Sequence, residues 1–210
     1  MKLKVSCIIL AGGESTRMGQ DKAGIYVGDV RFFDYIYSKC NRLFSEIIIV
    51  TNTPLEFGGY QAHIVTDKIR GAGSLGGLYT GLQTASYDYS FCVACDMPFL
   101  QPAVITYLTE LRLNCDVVIP NIFTYLEPLH AVYSRQCIEP IKKNLEISEF
   151  KLTKFLPEVQ VRYVCEREIK KIDPGLSTFI NINTRRDLLK MQKMLQGEQW
   201  AKEGFANLNF

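Results

Sequence analysis

A chain of 210 residues with 47 % apolar content can enclose one sizeable core, so a single compact domain is the expectation. Its 24 Lys plus Arg nearly balance 22 Asp plus Glu, and a net charge of +2 sets up no field for steering a polyanion, which argues against a nucleic-acid partner. No apolar run is long enough to span a bilayer and the N-terminus lacks a signal-peptide pattern, so a soluble cytoplasmic protein without membrane contact is expected.

The first element is the apolar run Val5 to Leu10, bounded by Gly12 and Gly13, which reads as a central parallel strand. From Phe32 to Phe44 apolar residues recur at helical spacing, with Phe33, Ile36, Tyr37, Cys40 and Phe44 on one stripe. Glu46 to Val50 and Ala62 to Thr66 follow as strands, then a helix from about Gly77 to Ser86. Tyr89 to Cys95 is a buried strand, and a helix starts near Pro102. Asp116–Pro120, Leu129–Tyr133 and Val159–Val164 read as strands, Ile138–Leu145 and Thr184–Leu195 as helices. This alternation points to a doubly wound, mostly parallel α/β sheet over residues 1–196, with 197–210 a loosely docked tail.

Seven cysteines, an odd number scattered along the chain, suit reduced thiols used as small apolar residues. Cys92 and Cys95 have the spacing of a redox or zinc pair. In a strand, however, residues three apart point to opposite faces and do not jointly hold a metal.

In an open α/β sheet ligands bind beyond the carboxyl ends of the strands, so the residues just after each strand are the candidates for function. They are the loop "LAGGESTRMGQDK" after the first strand, Asn52 after the second, Asp67 and "GAGSLG" after the third, and Asp96 after the Cys92 strand. Gly12 and Gly13 allow backbone amides to approach a ligand, while Arg17 and Lys22 offer charge for phosphate oxygens. The loop is not a Walker P-loop, because its glycine spacing is one residue too long and Lys22 lacks a following Ser or Thr. "GAGSLG", Gly71 to Gly76, has three spaced glycines but does not directly follow a strand, so it is read as a second nucleotide-contacting loop, not a dinucleotide site. Asp96 ends an apolar strand, where a carboxylate calls for a partner, and a divalent cation is one.

These segments, together with "CDMPFL", "PLHAVY" and "INTRRDL", resemble the molybdenum cofactor guanylyltransferase family within the wider nucleotidyltransferase superfamily, from Val5 to about Leu195. The resemblance implies a three-layer α/β/α sandwich of the nucleotide-diphospho-sugar transferase type. It also implies a Mg²⁺-dependent transfer of GMP from GTP to molybdopterin, with or without its metal, releasing pyrophosphate. By matched motif, Leu10, Ala11, Gly12, Asp67 and Asp96 would contact nucleotide, with Lys22 and Arg17 on its phosphates, and Gly13 and Gly73 of the glycine loops and Asn52 at its strand end join them as nucleotide contacts. Asp96 would also hold the metal, and Asn181 and Asn183 would serve the acceptor. Molybdoenzymes and their chaperones are the partners that the resemblance implies.

Three stretches depart from the family's pattern: Ser74 replaces a frequent proline, Val27 to Arg31 replaces a short Asn-Gly-Lys-Pro turn, and Lys151 and Lys154 stand where arginines are usual. His130 in "PLHAVY" is read as structural, since positioning and charge neutralisation need no histidine base. Two other readings stay open, another nucleotidyltransferase such as a cytidylyl or sugar-phosphate enzyme, and a nucleotide-binding module without transfer activity.

Overall fold

The computed structural model describes residues 2–12, 26–27, 30–69, 71–182 and 187. β1 (Leu3–Leu10) is buried along nearly its whole length because every residue from Val5 to Leu10 faces either a neighbouring strand or a covering helix. A two-residue pair, β2 (Tyr26–Val27) and β3 (Val30–Arg31), runs antiparallel where the sequence departs from the family turn. α1 (Phe32–Leu43) follows, burying Phe33, Ile36 and Cys40 as the helical stripe predicts. Phe44 is the first residue of β4 (Phe44–Val50) and not the last of the helix.

β5 (His63–Val65) completes one wing of the sheet, and α2 (Gly73–Thr84) crosses back. The other wing holds β6 (Tyr89–Ala94), α3 (Pro102–Glu110), β7 (Val117–Ile122), β8 (Tyr125–Leu126), β9 (His130–Ser134), α4 (Ile138–Glu146), β10 (Val161–Cys165) and α5 (Glu166–Lys170). The main sheet runs β10-β7-β9-β6-β1-β4-β5, with β8 hairpinned onto β7. β1 pairs in parallel with both β4 and β6, and β9 alone on that path is antiparallel to its neighbours β6 and β7.

Successive strand residues alternate between two cores, as the pleat requires. Cys7, Ile9, Phe91, Val93, Val118 and Val132 join α1, α3 and α5 on one face. Ile8, Leu10, Cys92, Ile119 and Tyr133 join α2 and α4 on the other, giving the expected α/β/α sandwich. Cys92 lies in the second core and Cys95 packs against the first, which places the two thiols on opposite faces, and all seven cysteines are free. No described helix is long and apolar enough to cross a membrane.

One further sequence expectation changes. The helix expected from Gly77 starts four residues earlier, so Gly73 to Gly76 form its first turn and not a free loop. The helix expected over 184–195 and the tail over 197–210 lie outside the described residues, save position 187.

Candidate active site

The chain leaves β1 toward β4 on one side and later toward β6 on the other, so β1 marks the point where the winding reverses. In such sheets a crevice opens there, beyond the carboxyl ends of the strands. Three hydrogen bonds carry the ladder just past those ends. The Ala11 amide donates to the Val50 carbonyl at 2.9 Å, the Thr51 amide to Val65 at 3.0 Å, and the Cys95 amide to Leu10 at 3.1 Å. They align Gly12, Asn52 and Asp96 along one rim.

On the β4–β5 side of that rim lies a cavity of about 660 Å³, a size that suits a nucleotide. Leu10 and Val50 form its floor, Gly12, Thr51, Asn52, Thr66 and Asp67 one wall, and Gly71, Gly73, Ser74 and Gly77 the other. The second wall is the first turn of α2, whose N-cap, Ala72, supplies no side-chain hydrogen bond to the leading amides. Those amides and the positive end of the helix dipole therefore favour an electron-rich ligand in the cavity. Gly71 and Gly73 have φ of +82° and +56°, a backbone that L side chains rarely adopt, which explains glycine at both positions of this turn.

Of the expected nucleotide contacts, Leu10, Gly12, Asn52, Asp67 and Gly73 are brought together here. Two are constrained by the sheet and its loops. Ala11 is 1 % exposed and its amide is committed to Val50, which leaves Gly12 as the first amide beyond the ladder. Asp67 spends Oδ1 locally, accepting from the Ile69 amide at 3.0 Å and the Thr80 hydroxyl at 3.3 Å, while Oδ2 lies toward Gly76 of α2. Gly13, Arg17, Lys22 and Asn183 lie outside the described residues.

Asp96 sits on the β6 side of Gly12, outside the cavity lining, half-buried. Its carbonyl accepts from the Ile182 amide at 2.9 Å, which draws the exposed Asn181 to the same place. This contact brings two segments far apart in sequence to one side of the rim.

The turn after Asp96 is fixed by groups that sequence reasoning did not single out. Lys39 of α1 donates to the carbonyls of Pro98 and Leu100 at 3.1 and 3.0 Å. The Gln101 amide donates to the Thr178 hydroxyl at 3.0 Å, and Asp173 accepts from the Thr178 amide at 2.9 Å. These contacts span 59 to 77 residues for the turn itself, so no local pattern signals them.

His130 is fully buried, edge-on to Phe91 and Phe179 at 5.1 and 5.0 Å, with Nε2 3.4 Å from the Thr178 hydroxyl. Burial holds its pKa down to about 3, only partly offset by Asp173. A ring so enclosed is a packing element, as the sequence reading has it. Its titration should nevertheless be visible in stability. The unfolded chain takes up the proton near pH 6.5 and the folded one only near 3, so stability is full above that window and falls as pH drops through it. At pH 5 the penalty is about 2 kcal/mol, and His130→Phe should remove that part of the slope in urea midpoints measured at pH 7 and pH 5. An unchanged slope would contradict a buried neutral imidazole.

Among the described residues no group of three or more His, Cys, Asp or Glu is arranged to hold a metal. Residues 7–161 match the model of the MobA-like NTP transferase domain. The chain belongs to that family. It is 37 % identical over 194 residues to the molybdenum cofactor guanylyltransferase of Desulfosudis oleivorans, covering 91 % of this chain and 96 % of that one. The protein of the same name from Syntrophotalea carbinolica is 33 % identical over 201 residues, covering 95 % and 91 %. Among solved structures, molybdopterin-guanine dinucleotide biosynthesis protein A from Archaeoglobus fulgidus superposes with a TM-score of 0.82 at 24 % identity, over 92 % of this chain and all of that one. A more distant structure, 4-diphosphocytidyl-2C-methyl-D-erythritol synthase from Anaerococcus prevotii, shares the fold at a TM-score of 0.67 and 17 % identity, over 92 % and 98 %. Family membership makes this MobA-like chain a nucleotidyltransferase.

Proposed function

We propose that the chain is a molybdenum cofactor guanylyltransferase, which joins GMP from GTP to the terminal phosphate of molybdopterin and releases pyrophosphate. The observation that carries this reading is one rim with two halves. A nucleotide-sized cavity lies on the β4–β5 side of Gly12, and Asp96 with Asn181 lies on the β6 side. The relatives' shared name supports a guanylyl donor and a molybdenum-cofactor acceptor.

In this reaction an oxygen of the acceptor phosphate attacks the α-phosphorus of GTP, and the bond to the β-phosphate breaks as pyrophosphate leaves. Little covalent chemistry falls to the protein, so its work is in-line positioning and charge neutralisation. The α2 first turn and Gly12 hold the nucleoside end, with Asp67 and Asn52 as its polar contacts. Lys22 and Arg17, assigned by motif, neutralise the triphosphate. Asn181 contributes an amide on the acceptor side, and Asn183 is assigned to it by motif alone.

The donor set at Asp96 suits Mg²⁺, which accepts one carboxylate when phosphate oxygens and water complete its shell. Mg²⁺ held by Asp96 and the phosphates would withdraw charge from the phosphoryl oxygens. Molybdoenzymes and their chaperones are the recipients of the product on this reading.

The test is pyrophosphate release with molybdopterin as acceptor, run separately with GTP, CTP, ATP and UTP in the presence of Mg²⁺. GTP should be preferred. Preference for CTP would move the activity to cytidylyl transfer, and no release with any of the four would overturn the reading.

A further inference from the structure

The hairpin after β7 is built in an unusual way. Its two turn residues, Phe123 and Thr124, have φ of +49° and +70°, the left-handed pair of a type I′ turn that normally carries Asn or Gly. β7 and β6 both run antiparallel to β9, so the hairpin rises from the same rim as Asp96, two strand spacings or roughly 10 Å to the side. Beyond the turn, Tyr125 pairs with Ile122 and Leu126 with Asn121, and the Glu127 amide donates to the Pro120 carbonyl at 3.0 Å, continuing the ladder. Alternation then separates the side chains. Leu126 packs into the core shared with α2 and α4, while Tyr125 and Glu127 stand on the opposite face, that of Ile122.

That face also carries the segment ending at Asn181 and Ile182, which is bonded to Asp96. Tyr125 is 73 % exposed there, a flat ring left open at the rim. Glu127 is the reverse. Its backbone is held at both ends, the amide by Pro120 and the carbonyl by the His130 amide at 3.1 Å. The residue is half-buried, its carboxylate has no hydrogen-bond or ion-pair partner among the described residues, and burial pushes its pKa above the usual range. A carboxylate withdrawn from water without donors is costly, and a ligand bringing two adjacent N–H groups would satisfy it.

From this juxtaposition we infer that Tyr125 and Glu127 form the subsite for the acceptor's pterin ring, Glu127 accepting from its 2-amino and N3–H edge while Tyr125 covers a face. The inference rests on the acceptor proposed above. Guanine presents a similar edge, but the nucleotide-sized cavity lies on the far side of β1, which assigns Glu127 to the acceptor.

The full-length chain would be titrated with free 6-hydroxymethylpterin, followed by pterin fluorescence, and with the corresponding lumazine, which has an oxygen in place of the 2-amino group. GTP binding would be measured by calorimetry on the same samples. The unaltered chain should bind the pterin at least tenfold tighter than the lumazine. Glu127→Gln, nearly isosteric, should abolish that discrimination, and Tyr125→Ala should weaken both pterins with rescue by Tyr125→Phe, while GTP affinity stays within twofold throughout. Equal pterin and lumazine binding by the unaltered chain, or a loss of GTP affinity matching the loss of pterin in Glu127→Gln, overturns the assignment. In steady-state transfer, Glu127→Gln should raise the molybdopterin KM at least tenfold with a smaller change in kcat. An unchanged KM overturns the subsite and leaves guanylyl transfer standing, whereas no transfer by the unaltered chain overturns guanylyl transfer itself and the pterin assignment with it.

Discussion

Asp96→Asn should lower guanylyl transfer by at least about 100-fold while leaving the fold intact. The substitution keeps the size of the side chain and removes its charge. Asp96 stands at the end of β6, half-buried, on a turn held by Lys39 from one side and by the Gln101–Thr178 bond from the other. Its main-chain link to Ile182 uses the carbonyl and survives the change. What the variant loses is the anionic end of the arrangement, the group proposed above to offset a divalent cation beside a triphosphate. Thermal melting should therefore shift little, and GTP binding without metal should persist. A variant turning over within a few-fold of the unaltered chain would remove Asp96 from the metal.

The parts of this architecture that were legible in the sequence are those whose burial is continuous or strictly periodic. β1, β4 and β6 are apolar runs closed by glycine, asparagine or aspartate, and α1 shows its buried face in the spacing of Phe33, Ile36 and Cys40. The rim was legible for the same reason, because Asn52, Asp67 and Asp96 are the polar residues on which those runs end. α2 was harder to delimit. Its first turn contains Gly73 and Gly76, poor helix formers, and it is helical because packing on the sheet outweighs propensity. The β7–β8 hairpin escaped notice because Phe123 and Thr124 carry none of the turn chemistry that their backbone angles ordinarily demand. The supports of Asp96 were illegible on principle. Lys39 and Thr178 meet its turn only through the winding of the fold, and nothing in their immediate neighbourhoods distinguishes them from surface polar residues.

Gly81→Ala should destabilise the chain by about 1–2 kcal/mol, although alanine is the better helix former by up to about 1 kcal/mol. A Cβ at position 81 would lie 2.5, 2.8 and 2.9 Å from Cγ2, Cδ1 and Cγ1 of Ile8, a residue with no exposed surface and strands on both sides. One helical turn earlier, a Cβ on Gly77 would sit 3.1 Å from Leu10, so the helix rests on β1 along a glycine edge and has little room to tilt inward. The predicted loss is a drop of a few degrees in melting temperature for a chain of this size. Pairing Gly81→Ala with Ile8→Ala, which by itself should cost several kcal/mol, should show favourable coupling, because the second change makes the space that the first requires. A Gly81→Ala variant as stable as the parent would mean that Ile8 yields without penalty. The nucleotide provides a second readout, since the same helix carries Gly73, Ser74 and Gly77 into the cavity wall. If α2 lifts to accommodate the methyl group, GTP affinity falls along with stability. If Ile8 moves instead, stability falls alone, and the two outcomes tell whether the close glycine contact serves the core or sets the width of the nucleotide cavity.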